Sequence, residues 1–582
     1  PEEGSGLDFR AGVPHFAALL LERSGLSQPL FRQGRPSMPL PPPSSRTVAV
    51  LTQAQALMQR GQAAAAMKLC EQAVEGENGD PLLLLEMINL YLHLGRHDDA
   101  YQAGLKVLEI DPEEPSAHFN MGLAGMRTNR YEAALGHFQT VLKHDPQNVR
   151  ALTNLGGVYF GLGFIKESLA QYREALRLDE SVPGIWQNYI SILNYDEDAP
   201  LSFVMDQHRV VGEKLQAMAG PRPAAYANDP SPNRRLRIGY LSGDFIMHPA
   251  SHYVEPVLRL HDKNVIDLYA YSLITWSDPV TESFRSCVPN WRDVGMLGDD
   301  QLFDLIQADK IDILIDLSGH TARNRILTVA RKPAPVMVNW IGYLNTLGIP
   351  GIDYSLLDPH LLSPAADAGF VDRPWALPET AYCYTPLVTY RRPAPSPVFR
   401  KGHITFGCFN NPAKLSQAAF AAWAEILHSL PDSHLIFKYK TFDSPMVQNR
   451  VLRAMAAHGI GPDRLSFQGY SPLGPFLDGF ADIDIALDTF PYTGVTTTMH
   501  TLWVGTPMVT LTGDTPMQRF GRSALLSIGR PDWIAASPKD YVAIALRLAE
   551  EVKADPGLRQ KVQRRMHSSS MMRHEIFVRN LE

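Results

Sequence analysis

The stretch Asp488–Thr512, DTFPYTGVTTTMHTLWVGTPMVTLT, decides the fold of the C-terminal half of this chain. A buried-looking strand, Ile483–Asp488, leads into a turn at Pro491–Gly494. A predicted helix at Thr496–Val504 and a strand at Met508–Leu511 follow. The first amides of such a helix have no partner inside it, and the helix dipole adds partial positive charge there. Because three threonines open the helix, the stretch predicts a phosphate or other anion site. An ordinary hydroxyl cap on a strand-to-helix crossover is the alternative.

Apolar strands alternate with helices on both sides of this stretch. Such alternation predicts parallel, doubly wound sheets with helices on both faces. The pattern breaks at Tyr384–Lys401, so we expect two α/β domains in tandem, with a cleft between the carboxyl ends of their strands. The predicted strands are 236–245, 267–275, 311–320, 336–343, 353–359, 404–410, 434–440, 464–470, 483–488 and 508–511. The predicted helices are 248–262, 299–309, 415–430, 446–457, 496–504 and a closing run at 537–579.

The N-terminal third of the chain repeats with a period of 34 residues. Four independent series share this interval: buried-type asparagines, Asp-Pro pairs, turn residues and small residues where helices approach each other. This is the tetratricopeptide period, in which helix pairs stack because none can bury its apolar face alone. Peptide binding and self-association are equally open as functions. The series are Asn120 and Asn154; Asp111–Pro112 and Asp145–Pro146; Gly61, Gly95, Asn129 and Gly163; and Ala66, Ala100, Ala134 and Ser168. The four full repeats are Ala49–Gly79, Asp80–Asp111, Pro112–Asp145 and Pro146–Asp179, with a partial unit at Val182–Asn194.

These patterns divide the chain into five segments. Residues 1–46 hold a predicted helix, Val13–Arg23, and a proline-rich linker, Gly34–Arg46. The remaining segments are the repeats at 47–195, a connecting helix and joint at 196–233, a first α/β lobe at 234–390, and a second lobe with closing helices at 391–582.

The composition of the chain excludes several classes of protein. Its 582 residues, 45% hydrophobic and 20% charged, are globular values that suit three or four domains. A net charge of −7 gives no reason to expect nucleic acid or an anionic membrane as a partner. The four cysteines form no CxxC pair, which excludes a zinc ribbon. No apolar run approaches the about 20 residues of a membrane span, and no secretory signal is evident. We expect a cytoplasmic protein with reduced thiols and no membrane partner.

A second segment of the predicted second lobe, besides the helix start at Thr496, could bind a phosphate group. CFNNPAKLS, Cys408–Ser416, follows the first strand of that lobe, and Lys414 lies at the strand-to-helix turn, where a cation reaches a diphosphate. Asn410 and Asn411 add donors and acceptors. The P-loop spacing GxxxxGK[ST] is absent, which argues against nucleotide triphosphate hydrolysis. A surface lysine with turn asparagines is the alternative.

The predicted first lobe offers a histidine as a proton acceptor. His248, in GDFIMHPASH, lies before Pro249 near a helix start, where the neutral imidazole is favoured. Asp244 and His252 are secondary candidates, and a capping or packing histidine is the alternative. Two polar loops, Ser318–Arg325 and Gly342–Gly348, also follow strands and could line the cleft or merely connect elements. We predict no catalytic metal. The histidines are scattered, and the Asp482–Asp484 pair lies inside an apolar strand and not in a loop.

The repeats, SGDFIMHPASH, CFNNPAKLS and GVTTTMHTLWVGTPMVTLTGDT, in this order, resemble the O-linked N-acetylglucosamine (O-GlcNAc) transferase family, glycosyltransferase family 41. The similarity runs from about Ala49 to the C-terminus and suggests a bacterial form with a short solenoid. It implies a GT-B fold, two Rossmann-like lobes with parallel sheets, behind an α-helical tetratricopeptide superhelix. It also implies inverting, metal-free transfer of N-acetylglucosamine (GlcNAc) from UDP-GlcNAc to Ser or Thr hydroxyls of proteins. The acceptor would lie along the repeat groove, and a homo-oligomer remains open.

The same resemblance assigns roles to residues of this sequence. Lys414 would contact the donor diphosphate and serve as a catalytic residue, and His248 would be a second one with an unsettled role. The predicted donor-binding residues are Asn411, Lys414, Gly494, Thr496, Thr497, Thr498 and His500. Asn411 stands where the family usually has glutamine.

The sequence departs from the family pattern at three places. Val495 replaces a histidine, His500 replaces the aspartate that holds the ribose, and Ser471–Phe476 lacks the expected basic residues, although Phe476 could stack on uracil. These departures keep open a non-catalytic repeat scaffold that retains UDP binding. A second alternative is a transferase that acts on a glycan or small molecule, with the repeats serving only for assembly.

Overall fold

The computed structural model describes residues 44–582 apart from 61, 77–79, 232, 389–392 and 394. The predicted helix at Val13–Arg23 and most of the linker lie outside the described residues. The chain forms two compact units, one ending at Ile185 and the other running from Trp186 to Glu582. No helix of the described chain combines the length and the apolar character needed to cross a bilayer.

The first unit is a stack of antiparallel helix pairs, as the 34-residue period predicts. The predicted small residues are buried, and the Ser168 hydroxyl donates to the Gly156 carbonyl across a pair. The turn positions Gly95, Asn129 and Gly163 all have positive φ, which explains why glycine or asparagine recurs there. The helices are α1 Ser45–Gln59, α2 Ala63–Gly76, α3 Pro81–His93, α4 His97–Ile110, α5 Pro115–Arg127, α6 Tyr131–His144, α7 Val149–Leu162, α8 Ile165–Leu178 and α9 Pro183–Leu193, which crosses into the second unit.

The second unit holds the two predicted α/β lobes. The first lobe has a seven-stranded parallel sheet in the order β3-β2-β1-β4-β5-β6-β7. Its strands are β1 Leu236–Ser242, β2 Ile266–Ser272, β3 Asn290–Asp293, β4 Ile313–Asp316, β5 Val336–Asn339, β6 Tyr354–Leu357 and β7 Arg373–Ala376. Its helices are α10 Leu201–Ala219, α11 Ser251–Leu260, α12 Pro279–Cys287, α13 Asp299–Ala308, α14 Ile326–Ala330 and α15 Pro364–Asp367.

The second lobe has a six-stranded parallel sheet in the order β10-β9-β8-β11-β12-β13. Its strands are β8 Thr405–Cys408, β9 His434–Lys438, β10 Leu465–Gln468, β11 Ile485–Leu487, β12 Met508–Leu511 and β13 Ile534–Ala535. Its helices are α16 Val398–Lys401, α17 Gln417–Ser429, α18 Pro445–Ala456, α19 Leu473–Asp478, α20 Thr496–Trp503, α21 Phe520–Ser527, α22 Pro538–Ala554 and α23 Leu558–His567; α24 His574–Leu581 ends the chain.

The last helix corrects the predicted division between the lobes. The sequence places all the closing helices in the segment 391–582, but α24 packs on the sheet of the first lobe. Phe577 and Val578 belong to its core, and the Phe577 ring stacks on Trp340 with centroids 6.0 Å apart. The chain therefore crosses back from the second lobe to the first.

The connecting helix α10 packs on the first lobe as well. His208 is fully buried, and its Nε2 is 2.7 Å from the Tyr343 hydroxyl. A Cβ atom at Gly212 would overlap the carbonyl of Gly348, so close helix-to-loop contact requires glycine here. Helix α10 is therefore an integral part of the first lobe.

Candidate active site

A cleft of about 350 Å³ lies at the carboxyl ends of the two sheets. Residues of both lobes and of the segment after α9 line it, as expected for two doubly wound domains in tandem. Besides Val495, seven residues singled out in the sequence lie on its wall, including one catalytic candidate from each lobe. They are Asp244, His248, Asn410, Asn411, Lys414, Thr496 and Thr497.

The start of helix α20 forms part of the cleft wall. Val495 occupies the N-cap position, and no side chain caps the first turn of the helix. The ordinary hydroxyl cap, the alternative for this stretch, is therefore wrong. Thr496 and Thr497 lie inside the first turn and face the cleft, where uncapped amides and the dipole favour an anion.

Lys414 brings the positive charge of the second lobe into the cleft. Its Nζ donates to the Thr493 carbonyl at 2.8 Å and lies 4.3 Å from the centroid of the Tyr492 ring. Burial lowers the pKa of Lys414 to about 8, while the nearby Asp488 and Cys408 oppose this shift. The ammonium group is therefore charged at neutral pH, and its two direct contacts are with neutral groups that an incoming anion can replace.

Asp488 fixes the turn between β11 and α20. Its carboxylate accepts hydrogen bonds from the Gly494 amide at 2.7 Å, the Thr510 hydroxyl at 2.7 Å and the Thr489 amide at 3.0 Å. Burial raises the pKa of Asp488 to about 6, against the effect of these donors and of Lys414. The sequence placed Asp488 only at the end of a strand and gave it no role in the site.

Gly494 and Thr498, predicted as donor-binding residues, belong to this turn and not to the cleft wall. The Thr498 hydroxyl donates to the Gly494 carbonyl at 3.0 Å and is buried. A Cβ atom at Gly494 would come within 2.8 Å of that hydroxyl, and within 3.1 Å of Asn410 Oδ1 and Asp488 Oδ1. Both residues therefore shape the site from behind its surface.

The two asparagines after β8 differ in their surroundings. Asn410 is buried beside Gly494, whereas the Asn411 side chain accepts a hydrogen bond from the Ala413 amide at 3.0 Å. Asn411 thus caps the short turn that carries Lys414, which explains an Asx residue at this position.

The first lobe contributes a histidine, an aspartate and an arginine to the cleft. Asp244 accepts a hydrogen bond from Arg323 Nη2 at 2.8 Å, and its other oxygen is 3.5 Å from His248 Nδ1. Burial, more than the helix start proposed from sequence, lowers the pKa of His248; Asp244 opposes the shift and Arg323 adds to it. Helix α11 begins only at Ser251, three residues after His248. His248 is therefore neutral at physiological pH, the form in which an imidazole can accept a proton.

His252, His500 and Phe476 do not line the cleft. His500 is buried, its Nδ1 is 3.0 Å from the Tyr384 hydroxyl, and its ring is edge-on to His252 at 5.0 Å. Phe476 packs edge-on to Phe409, with ring centroids 5.8 Å apart. These rings form a seam between the lobes, so the predicted contacts of His500 with a ribose and of Phe476 with uracil have no counterpart on the cleft wall.

Tyrosines make up much of the cleft, and the sequence did not single them out for it. They come from both lobes and from the segment after α9. Asn194 of that segment and Ser191 of α9 also line the wall. The polar loops after β4 and β5 reach the cleft as expected, through Arg323 and Tyr343. A cluster of tyrosines scattered over the whole chain has no local sequence signal. The six are Tyr195, Tyr253, Tyr343, Tyr382, Tyr439 and Tyr492.

A larger cavity, of about 610 Å³, lies at the amino end of the first sheet, away from these residues. Its charged groups are already paired, as in the ion pair between Arg234 and Asp312 at 2.6 Å. Among the described residues, no three His, Cys, Asp or Glu side chains are grouped as metal ligands. Asp484 of the in-strand pair is buried and accepts hydrogen bonds from two backbone amides, those of Val398 and Thr405, at 2.9 and 2.8 Å.

Comparison with known families matches both units of the chain. The sequence model of glycosyl transferase family 41 matches residues 203–380 and 387–581. Two tetratricopeptide repeat models match residues 57–122 and 119–183.

Individual proteins are similar to the same regions. A probable UDP-N-acetylglucosamine–peptide N-acetylglucosaminyltransferase SPINDLY from Solanum lycopersicum is 34% identical over 412 residues, 70% of this chain and 44% of its own length. A UDP-N-acetylglucosamine–peptide N-acetylglucosaminyltransferase from Caenorhabditis elegans is 22% identical over 539 residues, 71% of this chain and 46% of its own length. The chain thus spans less than half the length of these curated relatives. A solved mutant of the Thermobaculum terrenum O-GlcNAc transferase is 31% identical with a TM-score of 0.80, over 86% of this chain and 95% of that one. This similarity confirms the predicted repeat superhelix and GT-B fold.

Proposed function

Because the chain belongs to glycosyl transferase family 41, as its motifs predict, we propose that it is an inverting glycosyltransferase. It transfers GlcNAc from UDP-GlcNAc to Ser or Thr hydroxyls of protein substrates. The observation that carries this proposal is the composition of the cleft. One wall holds a neutral histidine, His248, and the other holds a cation, Lys414, beside an uncapped helix start.

In this proposal the second lobe binds the donor. The diphosphate lies against the first-turn amides and hydroxyls of Thr496 and Thr497, with the Lys414 ammonium beside it. Lys414 exchanges its hydrogen bond to the Thr493 carbonyl for a charge-assisted one to a phosphate oxygen, which is stronger. One ammonium and a helix start then neutralise the leaving group, and the proposal needs no metal ion for this task.

The first lobe carries the proton acceptor. The acceptor hydroxyl attacks C1 of the sugar from the face opposite the leaving group, so a new C–O bond forms as the bond to the diphosphate breaks. The electron pair of the broken bond leaves with UDP, and the hydroxyl proton passes to the His248 imidazole. Asp244, 3.5 Å from His248 Nδ1, stabilises the imidazolium that forms, and Arg323 holds Asp244 in place.

The repeats bind the acceptor protein in this proposal. Tetratricopeptide stacks present long surfaces suited to extended segments, and the described residues of this region form nine helices, the last shared with the second unit. The names of the curated relatives, which refer to peptide substrates, support a protein acceptor.

A mass-spectrometric transfer assay tests the proposal. Purified protein, UDP-GlcNAc and a library of Ser/Thr-containing peptides should yield peptides that carry one GlcNAc, together with an equal amount of UDP. Hydrolysis of UDP-GlcNAc without peptide modification would favour a glycan or small-molecule acceptor. Neither transfer nor hydrolysis, with UDP still bound, would favour the scaffold. A parallel reaction with other sugar nucleotides tests the donor, since Val495 on the cleft wall departs from the family pattern.

A further inference from the structure

The short segment between α9 and α10 enters the cleft. We define residues Asn194–Glu197 as the connector. Asn194 contacts the first lobe: its Nδ2 donates to the Tyr343 hydroxyl at 2.7 Å, and its Oδ1 accepts from Asn345 Nδ2 at 3.0 Å. Asn194 is buried, so this attachment is well shielded from solvent.

The same connector also contacts the second lobe. The Glu197 carboxylate accepts hydrogen bonds from the amides of Gln417 and Ala418, at 2.8 and 3.2 Å. These are the first amides of α17, the helix that follows Lys414 in the chain, and a carboxylate is favourable at this end of a helix. The connector is therefore fixed to both lobes within four residues, with Tyr195 between the two attachments.

Tyr195 stacks on a residue that Lys414 also contacts. The rings of Tyr195 and Tyr492 have centroids 4.4 Å apart and an interplanar angle of 19°, and their hydroxyl groups are hydrogen-bonded. The Lys414 Nζ lies 4.3 Å from the centroid of the same Tyr492 ring and donates to the next carbonyl, that of Thr493. Both contacts of the ammonium group thus depend on where Tyr492 and Thr493 lie.

We propose that Tyr195 is a positioning residue for Lys414, acting through Tyr492. The inference rests on the proposed function, in which Lys414 neutralises the donor diphosphate. A ring stacked on a fixed neighbour loses its freedom to rotate, so Tyr492 and the carbonyl after it hold the ammonium group before the donor arrives. The connector, attached to both lobes, thereby presets the charge in the cleft.

Two substitutions separate the parts of this contact. Tyr195→Phe keeps the stacked ring and loses only the hydroxyl, whereas Tyr195→Leu loses the ring and keeps an apolar side chain. Titration calorimetry of the full chain with UDP, with pyrophosphate and with uridine reports separately on the diphosphate and nucleoside contacts. We expect Tyr195→Leu to lower the affinity for UDP and for pyrophosphate about two- to tenfold, the range typical of an aromatic pair. The affinity for uridine should not change. Tyr195→Phe should bind UDP within about twofold of the unsubstituted chain.

A double-mutant cycle tests whether the effect passes through Lys414. In a Lys414→Ala background, Tyr195→Leu should cause no further loss of pyrophosphate or UDP affinity. Additive losses, or an equal loss for uridine, would show that Tyr195 only supports the wall, and would overturn the inference. An unsubstituted chain that binds pyrophosphate but not UDP would contradict the proposed donor, and the pyrophosphate cycle would still decide the role of Tyr195. If the unsubstituted chain bound neither, both proposals would fall.

Discussion

Replacing Lys414 by alanine is the most direct perturbation of the proposed chemistry. Among the described residues of the cleft wall, only Lys414 and Arg323 carry cationic side chains, and Arg323 already pairs with Asp244 at 2.8 Å. We therefore expect no second cation on this wall to replace the lost ammonium group. Loss of one preorganised charge-stabilising contact lowers turnover by about two to three orders of magnitude, or about 3–4 kcal/mol in the barrier.

The fold should survive this change. Lys414 contributes one hydrogen bond to a carbonyl and one contact with an aromatic ring, and Asp488 keeps all three of its hydrogen-bond donors. We expect circular dichroism and the thermal midpoint to stay close to those of the unsubstituted chain. Lys553→Ala is a matched control, because Lys553 lies on the second lobe, outside the cleft, with its side chain 42% exposed and paired with Glu550.

The assay is UDP release at saturating UDP-GlcNAc and peptide, with UDP affinity measured separately by calorimetry. Lys414→Ala should lose at least about a hundredfold in turnover, while Lys553→Ala should lose nothing. If Lys414→Ala kept turnover within about tenfold of an active unsubstituted chain, the leaving group would be neutralised by something else. The assignment of the diphosphate to this wall would then be wrong.

Three further predictions concern pH, the proton acceptor and the core. Burial lowers the pKa of Lys414 to about 8, so its charge is mostly present below pH 8 and lost above it. Calorimetry should show the UDP dissociation constant rising up to about fivefold from pH 8 to 9, with no such rise in Lys414→Ala. His248→Ala should lower turnover by about 10²–10⁴-fold and leave UDP affinity unchanged; a loss confined to UDP binding would contradict its role. Phe577→Ala should cost about 3–5 kcal/mol in the first lobe and lower its melting temperature in calorimetry, because Phe577 is buried against Trp340. The control Phe399→Ala, at a ring 47% exposed, should change little.

The central elements of both sheets could be predicted because their residues are mostly apolar and buried. The strand Met508–Leu511 has the predicted bounds, and helix α20 ends one residue before the predicted Val504. The edge strands could not be predicted in this way. Strands β3 and β7 lie at the two edges of the first sheet, and none of their residues is fully buried. With one face or one edge in solvent, such strands carry no continuous apolar run.

The site was predictable only where a local motif marks it. Lys414, Thr496 and Thr497 follow strands of the second lobe, and the ends of parallel strands meet at one edge of a sheet. His248 reaches the same cleft for the same reason. Tyr195 and Tyr492, far apart in the chain, stack because the connector folds onto the second lobe, and no sequence period records such a contact. The substitution of His500 for an aspartate suggested a change in the donor site, yet the structure places that ring in the seam between the lobes.

The position of His500 in that seam links the two halves of the site through α20. The helix starts at the cleft with Thr496, and one turn later His500 contacts the Tyr384 hydroxyl and the His252 ring of the first lobe. Burial and the neighbouring His252 lower the pKa of His500 well below its ordinary value, so this contact stays uncharged at physiological pH. A shift of α20 relative to the first lobe would break these two contacts. The first lobe therefore helps to set the direction in which the uncapped amides of α20 point.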